Sequence, residues 1–225
     1  MEVFPQLHWL NGGSSNAYLA EDEDGFVLVD SGMPGRIDVA GYLDQLGHPP
    51  TVLTHILLTH ADIDHVGNLA QIQQQSGATV YASPQSAELI AKAESPSHNN
   101  RIMKWAVDTF MRYEPVAPEQ IHVITEGTRL PILDGIQVIA APGHTPDQIV
   151  FYSQARGILF AGDALFSRKG LQESGKFLSA DYEQSKASAL KLLSLSPAIY
   201  ACGHGEPLQN HSDADIMALF NSLRS

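Results

Sequence analysis

Between Leu57 and Asn68 the chain reads LLTHADIDHVGN, which sets His60, Asp62, Asp64 and His65 within six residues. The segment follows an apolar run and precedes a helical pattern. A tight strand-to-helix loop obeys neither the strand nor the helix period, so four metal-capable side chains on it can converge on one point. The alternative reading makes the two aspartates helix caps and the histidines loop decoration. Three later segments repeat one design, an apolar strand ending in a Gly-containing turn that carries one metal-capable residue. They are IQVIAAPGHTPDQ with His144, GILFAGDALF with Asp163 and PAIYACGHGEP with His204. Each alone reads as a turn residue. Strand ends along one sheet edge meet in space, however, and the four segments together point to a site assembled from loops.

Those loops need strands to hold them. Residues 3–10, 16–20, 25–30, 52–59 and 79–82 read as strands, the fourth as a buried one. Further strands are expected at 121–124, 129–133, 136–141, 148–152, 158–161 and 199–201. Helical spacing marks 36–46, where Ile37, Ala40, Leu43 and Leu46 recur before Gly47. It also marks about 66–75, 181–195 and 213–223. Between 84 and 113 the pattern is helical, broken by SPSHNN, and reads as an insertion or lid on one domain spanning 1–225. No repeat or Gly/Ser-rich linker divides the chain.

The 225 residues suffice for one substantial core. Acids outnumber bases 25 to 13 for a formal charge of −12, a surface that repels phosphate backbones, so no nucleic-acid partner is expected. No apolar run approaches the roughly 20 residues of a membrane helix, and the amino terminus lacks the pattern of a secretion signal. The single Cys202 excludes an internal disulfide and fits a reducing cytoplasm. These features lead us to expect a cytoplasmic protein; they leave its oligomeric state open.

The ordered set of metal-capable residues resembles the metallo-β-lactamase-fold hydrolases, the superfamily that includes glyoxalase II enzymes and lactonases. Its pattern is a His-x-His-x-Asp-His loop, a distant His, a bridging Asp and a final His. This chain matches it at His60, Asp64, His65, His144, Asp163 and His204, and FVLVDSG at 26–32 extends the likeness toward the amino terminus. Asp62 stands where the second histidine of the loop is usual; a carboxylate is a competent ligand there. The resemblance implies an α+β fold, a four-layer αββα sandwich. It also implies two divalent metal ions, zinc first and manganese or iron as alternatives. His60, Asp62 and His144 would hold one ion, Asp64, His65 and His204 the other, with Asp163 bridging; Asp64 and Asp163 are also the expected catalytic residues. The implied activity is hydrolysis of a small-molecule substrate, a small ester, thioester or lactone, by a hydroxide held between the metals. β-Lactam hydrolysis and iron-dependent persulfide dioxygenation are the alternatives.

Other residues take supporting parts. Asp30 is expected to order the turns beneath the metal loop, and Cys202 to be a small buried strand residue rather than a ligand. Arg168, Lys169 and Lys176 follow Asp163 in a basic loop that either anchors a substrate carboxylate or is simply solvated. Of Trp105, Phe110, Met111 and Tyr113, most belong in a core, with Trp105 and Phe110 the candidates for a substrate pocket. His8, His48, His55, His98, His122 and His211 lack partners at ligand spacing and read as surface or packed residues.

Overall fold

Strand-length apolar runs at the amino terminus zip into a sheet of seven strands, in the order β1 (Glu2–Phe4), β2 (Leu7–Asn11), β3 (Asn16–Asp22), β4 (Gly25–Val29), β5 (Leu53–Leu57), β6 (Thr79–Ala82) and β7 (Ile121–Val123). The computed structural model describes residues 1–97, 112–209 and 213–224. From β1 to β4 neighbours are antiparallel; from β4 to β7 they are parallel. The crossovers that parallel pairing requires carry helices α1 (Val39–Gln45), α2 (Ile63–Val66), α3 (Leu69–Ser76) and α4 (Pro84–Lys92).

The second sheet holds six strands. They are β8 (Arg129–Leu130), β9 (Ile136–Ala140), β10 (Ile149–Ser153), β11 (Ile158–Gly162), β14 (Ile199–Cys202) and β15 (Leu208–Gln209), with β8 and β15 at its edges. A small hairpin, β12 (Leu165–Phe166) with β13 (Gln172–Glu173), lies between β11 and α5 (Tyr182–Leu193), and α6 (Asp213–Arg224) closes the chain.

Alternation along the strands sorts side chains into three cores, which makes the layers αββα. In β3 and β4, Leu19 and Leu28 face helices α1 to α4, packing with Leu43, Leu69 and Ile90. Their neighbours Tyr18, Val27 and Val29 face the other way and meet Val138, Phe151 and Phe160 of the second sheet. From the far side of that sheet Val150, Leu159 and Tyr200 pack against Leu192 and Leu193 of α5, with Leu219 and Phe220 of α6 alongside. The central strands β3, β4, β10, β11 and β14 thus bury both faces, as inner layers of such a sandwich must.

Strand directions fix where the site can be. β10 runs antiparallel to both β9 and β11, and β14 runs parallel to β11. So β9, β11 and β14 end at the same sheet edge, and the turns bearing His144, Asp163 and His204 emerge together. β5 delivers the His60–His65 loop to the same place, because the Ile149 N–H that opens β10 donates to the Thr59 carbonyl at 2.9 Å.

Several elements differ from the sequence expectation. Residues 3–10 form a hairpin rather than one strand: the chain turns at Pro5–Gln6, Gln6 adopts a φ of 63°, and Phe4 pairs with Leu7. The helix expected from 66 begins earlier, with α2 inside the histidine loop, and breaks at Asn68. That side chain leaves the helix to donate to the Ser31 and Met33 carbonyls and to accept the Gly35 N–H. At the start of the 84–113 stretch, α4 is capped by Ser83 and takes its place in the helix layer, with Ala87 and Ile90 in the first core. Tyr113 is buried in the same core and donates its hydroxyl to the Glu94 carbonyl at 3.0 Å. Trp105, Phe110 and Met111 lie outside the described residues. Among those described, no helix is long and apolar enough to cross a membrane.

Candidate metal centre

The seven residues singled out by sequence converge. His60, Asp62 and His144 each offer a ligand atom within 4.8 Å of one another, as do Asp64, His65 and His204, and as do His60, His65 and Asp163. In the first cluster the Asp62 Oδ2 lies 3.4 Å from His60 Nε2 and 3.2 Å from His144 Nε2. In the second, His204 Nε2 is 3.6 Å from Asp64 Oδ2. Asp163 spans both. Its Oδ2 is 3.4 Å from His144 Nε2 and 3.0 Å from His204 Nε2, while its Oδ1 is 3.2 Å from His65 Nε2.

All four imidazoles present Nε2 inward because Nδ1 is occupied outside the cluster. His65 Nδ1 donates to Asp30 Oδ2 at 2.8 Å and His204 Nδ1 to the Ser14 carbonyl at 2.6 Å; both partners can only accept, which fixes the proton on Nδ1. His60 Nδ1 is 3.0 Å from the Thr59 hydroxyl, which itself donates to Asp30 Oδ2 at 2.8 Å and so offers His60 a lone pair. His144 Nδ1 meets the Ser174 hydroxyl at 3.0 Å. Asp30 therefore anchors two histidines, one directly and one through Thr59, and it also accepts the Thr59 N–H. This is the supporting part expected of it.

Burial and charge sharpen the picture. His60 and His65 are fully buried, and Asp163, His144 and His204 nearly so. Burial drives imidazoles toward neutrality, but Asp163, Asp30 and Asp64 outweigh it and hold His65 well above its ordinary pKa. His204 is raised in the same way, against its burial, chiefly by Asp163. Burial works to raise the pKa of Asp163, yet His204 and His65 overcome it and keep its carboxyl well below the usual range. Three atoms at the centre, His60 Nε2, His65 Nε2 and Asp163 Oδ1, are buried and face one another or Asp62 at 3.2–3.4 Å without a well-aligned hydrogen bond. Polar atoms are rarely stranded in this way without a ligand to take them up. The donor set of imidazole nitrogens and carboxylate oxygens suits a divalent ion such as zinc, manganese or iron, so the residues fit the group.

Backbone approach makes the convergence possible. An added Cβ on Gly162 would lie 2.7 Å from Thr59 Oγ1, and one on Gly203 would lie 2.2 Å from Asp163 Oδ1. Glycine lets these strand ends close around the carboxylate.

Beside the second cluster opens a cavity of about 750 Å³, whose lining includes Trp9, Ser14, Asp64, Arg168, His204 and Glu206. Arg168 is exposed, with Nη2 3.1 Å from His204 Nδ1. Since the Ser14 carbonyl claims the proton on that nitrogen, the guanidinium finds no lone pair there. Lys169 and Lys176 are exposed and do not line this cavity. Cys202 is fully buried, its thiol pushed up to about 12 by burial, which makes it a packing residue. Of the other histidines, His8 is buried beside Tyr42 and Glu21, while His98 and His211 lie outside the described residues. Sequence reasoning missed Thr59, Ser174 and the Ser14 carbonyl. Thr59 alone left a trace, as a hydroxyl at the inner end of an apolar strand.

A family profile described as the metallo-beta-lactamase superfamily matches residues 10–204. A curated Bacillus subtilis (strain 168) protein named probable metallo-hydrolase YflN is 27% identical over 246 residues, covering 100% of this chain and 93% of its own length. A protein of Marinomonas sp. (strain MWYL1) named hydroxyacylglutathione hydrolase is 29% identical over 177 residues, covering 78% of this chain and 54% of that protein. Among solved structures, the archaeal metallo-beta-lactamase superfamily protein ST1585 from Sulfolobus tokodaii superposes with a TM-score of 0.74. It is 18% identical and covers 97% of this chain and 86% of its own.

Proposed function

The chain belongs to the metallo-β-lactamase superfamily, and on that premise we propose that this metal-dependent hydrolase cleaves a small ester or thioester at a two-metal centre. The observation that carries the reading is the inward convergence of four Nε2 atoms and three carboxylates on one buried centre. His60, Asp62 and His144 would hold one ion and Asp64, His65 and His204 the other, with Asp163 shared. When bound, the ions would supply a nucleophilic water at neutral pH and polarise the scissile carbonyl.

The chain's own residues do the rest. Asp163 stays ionised and acceptor-only at its depressed pKa, so it keeps its negative charge between the clusters. Asp64, half-buried and in the cavity wall, would receive and return a proton through whichever carboxylate oxygen the metal does not take. The Asp30 and Ser14 contacts hold the Nδ1 proton of His65 and His204 outside the cluster, so that Nε2 is the nitrogen facing the ions. Arg168, which lines the cavity, would hold an anionic group of the substrate, and Lys169 stands beside it in the loop. Trp105 and Phe110 remain proposed pocket residues. A thioester is favoured by the likeness to the protein named hydroxyacylglutathione hydrolase.

The test is elemental analysis of untagged protein followed by a panel of thioesters, esters, lactones and β-lactams. About two equivalents of divalent metal, with turnover of a thioester or ester that Asp163→Ala abolishes, is the expected result. Failure to bind any added metal would overturn the reading. Iron content with oxygen uptake on a persulfide, and no hydrolysis, would replace it with the dioxygenase.

A further inference from the structure

One buried carboxylate at the centre has no part in that chemistry. Asp147 is 3% exposed and lies three residues beyond His144, in the turn that leads into β10. Its Oδ2 accepts two hydrogen bonds, from the Ala61 N–H at 2.9 Å and from the Ser86 hydroxyl at 2.7 Å. Ala61 is fully buried and sits between His60 and Asp62. Two residues on, the Ile149 N–H takes the Thr59 carbonyl. The His144 turn is thus laced to the histidine loop at two successive points.

We propose that Asp147 is a positioning residue for the first cluster, setting His60, Asp62 and His144 against one another and tying them through Ser86 to the first turn of α4. The inference rests on the metal-centre reading. Its physical basis is the peptide plane. The direction of the Ala61 N–H fixes the plane joining His60 to Ala61, and with it the direction in which the flanking ligand side chains leave the backbone. The third member of the cluster comes from Asp147's own turn, so one carboxylate links all three. In this dry position the Ala61 N–H has no water to replace the contact.

The second cluster is held by different groups. The His65 carbonyl accepts from the Ser31 N–H and hydroxyl, and the Asp64 carbonyl from the Ser15 hydroxyl. His65 leans on Asp30 and His204 on Ser14. None of these contacts runs through Asp147. Loss of its carboxylate should therefore be felt at one metal position and not at the other.

Because both donors meet on a single oxygen, an amide oxygen can replace it. Asp147→Asn should keep both contacts, and Asp147→Ala should lose both. The experiment is zinc titration of the metal-stripped full chain against a chelating indicator. Each substitution is made in a His204→Ala background, which retains the first cluster, and in a His144→Ala background, which retains the second. Asp147→Ala should weaken zinc about 10–100-fold in the first background and leave the second unchanged, while Asp147→Asn should restore the first. Ser86→Ala, which removes one of the two contacts on that oxygen, should weaken zinc in the first background less than Asp147→Ala does and leave the second unchanged. Asp147→Glu, which keeps the charge but shifts the oxygen by one methylene, should reproduce the selective loss and serves where the alanine variant does not fold. Equal weakening in both backgrounds, or none in either, would overturn the proposal while leaving the metal centre intact. Wild-type chain that takes up no zinc would overturn both.

Discussion

Substituting alanine for Gly203 tests how tightly the strand ends close on Asp163. Gly203 follows β14 and its N–H donates to the Gly162 carbonyl at 2.7 Å, which locks the two turns together. The new Cβ would lie 2.2 Å from Asp163 Oδ1 and 2.7 Å from His65 Cε1. Carbon and oxygen do not approach so closely, so the carboxylate must retreat by about 1 Å to reach ordinary contact. Ligand distances in metal sites keep to within about 0.2 Å of their usual values, and Asp163 contacts histidines of both clusters. Gly203→Ala should therefore lower zinc affinity at both positions by 100-fold or more, on the order expected when a ligand is lost rather than merely re-aimed. The fold should survive, because overpacking of this kind costs about 1–3 kcal/mol, or about 2–12 °C in melting temperature for a domain of this size. Zinc titration with thermal melting measures both quantities. Gly175→Ala serves as the control, since its Cβ would meet nothing within 4 Å. Zinc affinity in Gly203→Ala equal to wild type would refute the argument that this backbone approach holds the bridging carboxylate.

Asp30→Asn should be tolerated by the backbone, since asparagine accepts the φ of 59° found there. It offers one oxygen to the donors of Thr59 and His65, however, so His65 should lose its partner and zinc affinity at the second cluster should fall about 10–100-fold; an unchanged affinity would show that the tautomer is set elsewhere. Asp62→His replaces a hard oxygen by an imidazole and should move the first position toward zinc at the expense of manganese, which competitive loading of the two metals would read directly; an unaltered ratio would mean that Asp62 is not a ligand. Cys202, buried and with its thiol near 12, should be about one part in 10⁴ thiolate at pH 8. A disulfide reagent should thus react with it only as fast as the protein unfolds, and rapid labelling of the native protein would contradict its placement.

Much of the candidate site was readable along the chain because four of its residues are neighbours by covalent connection. His60, Asp62, Asp64 and His65 share one loop, and any fold that ends a strand at Leu57 and starts a helix near Ile63 must crowd them together. His144, Asp163 and His204 were each visible as a residue on a strand-ending turn. Their meeting point depended on the second sheet, in which β9, β11 and β14 run in one direction. The element types were largely legible from periodicity. The Gln6 hairpin, the β12–β13 pair and β15 were not, because two- and three-residue strands have no period to detect and are made by their partners.

What the sequence determined by itself was the kind of atom available and its place on an element. What only the tertiary structure decided was the aim of each imidazole. A histidine's ring can turn either nitrogen toward a neighbour, and nothing in the local backbone selects between them. Here the choice falls to Asp30, 35 residues from His65, to Ser174, 30 residues from His144, and to the Ser14 carbonyl, 190 residues from His204. Those partners arrive only when the two sheets have packed, so the inward aim of Nε2 is a property of the assembled sandwich.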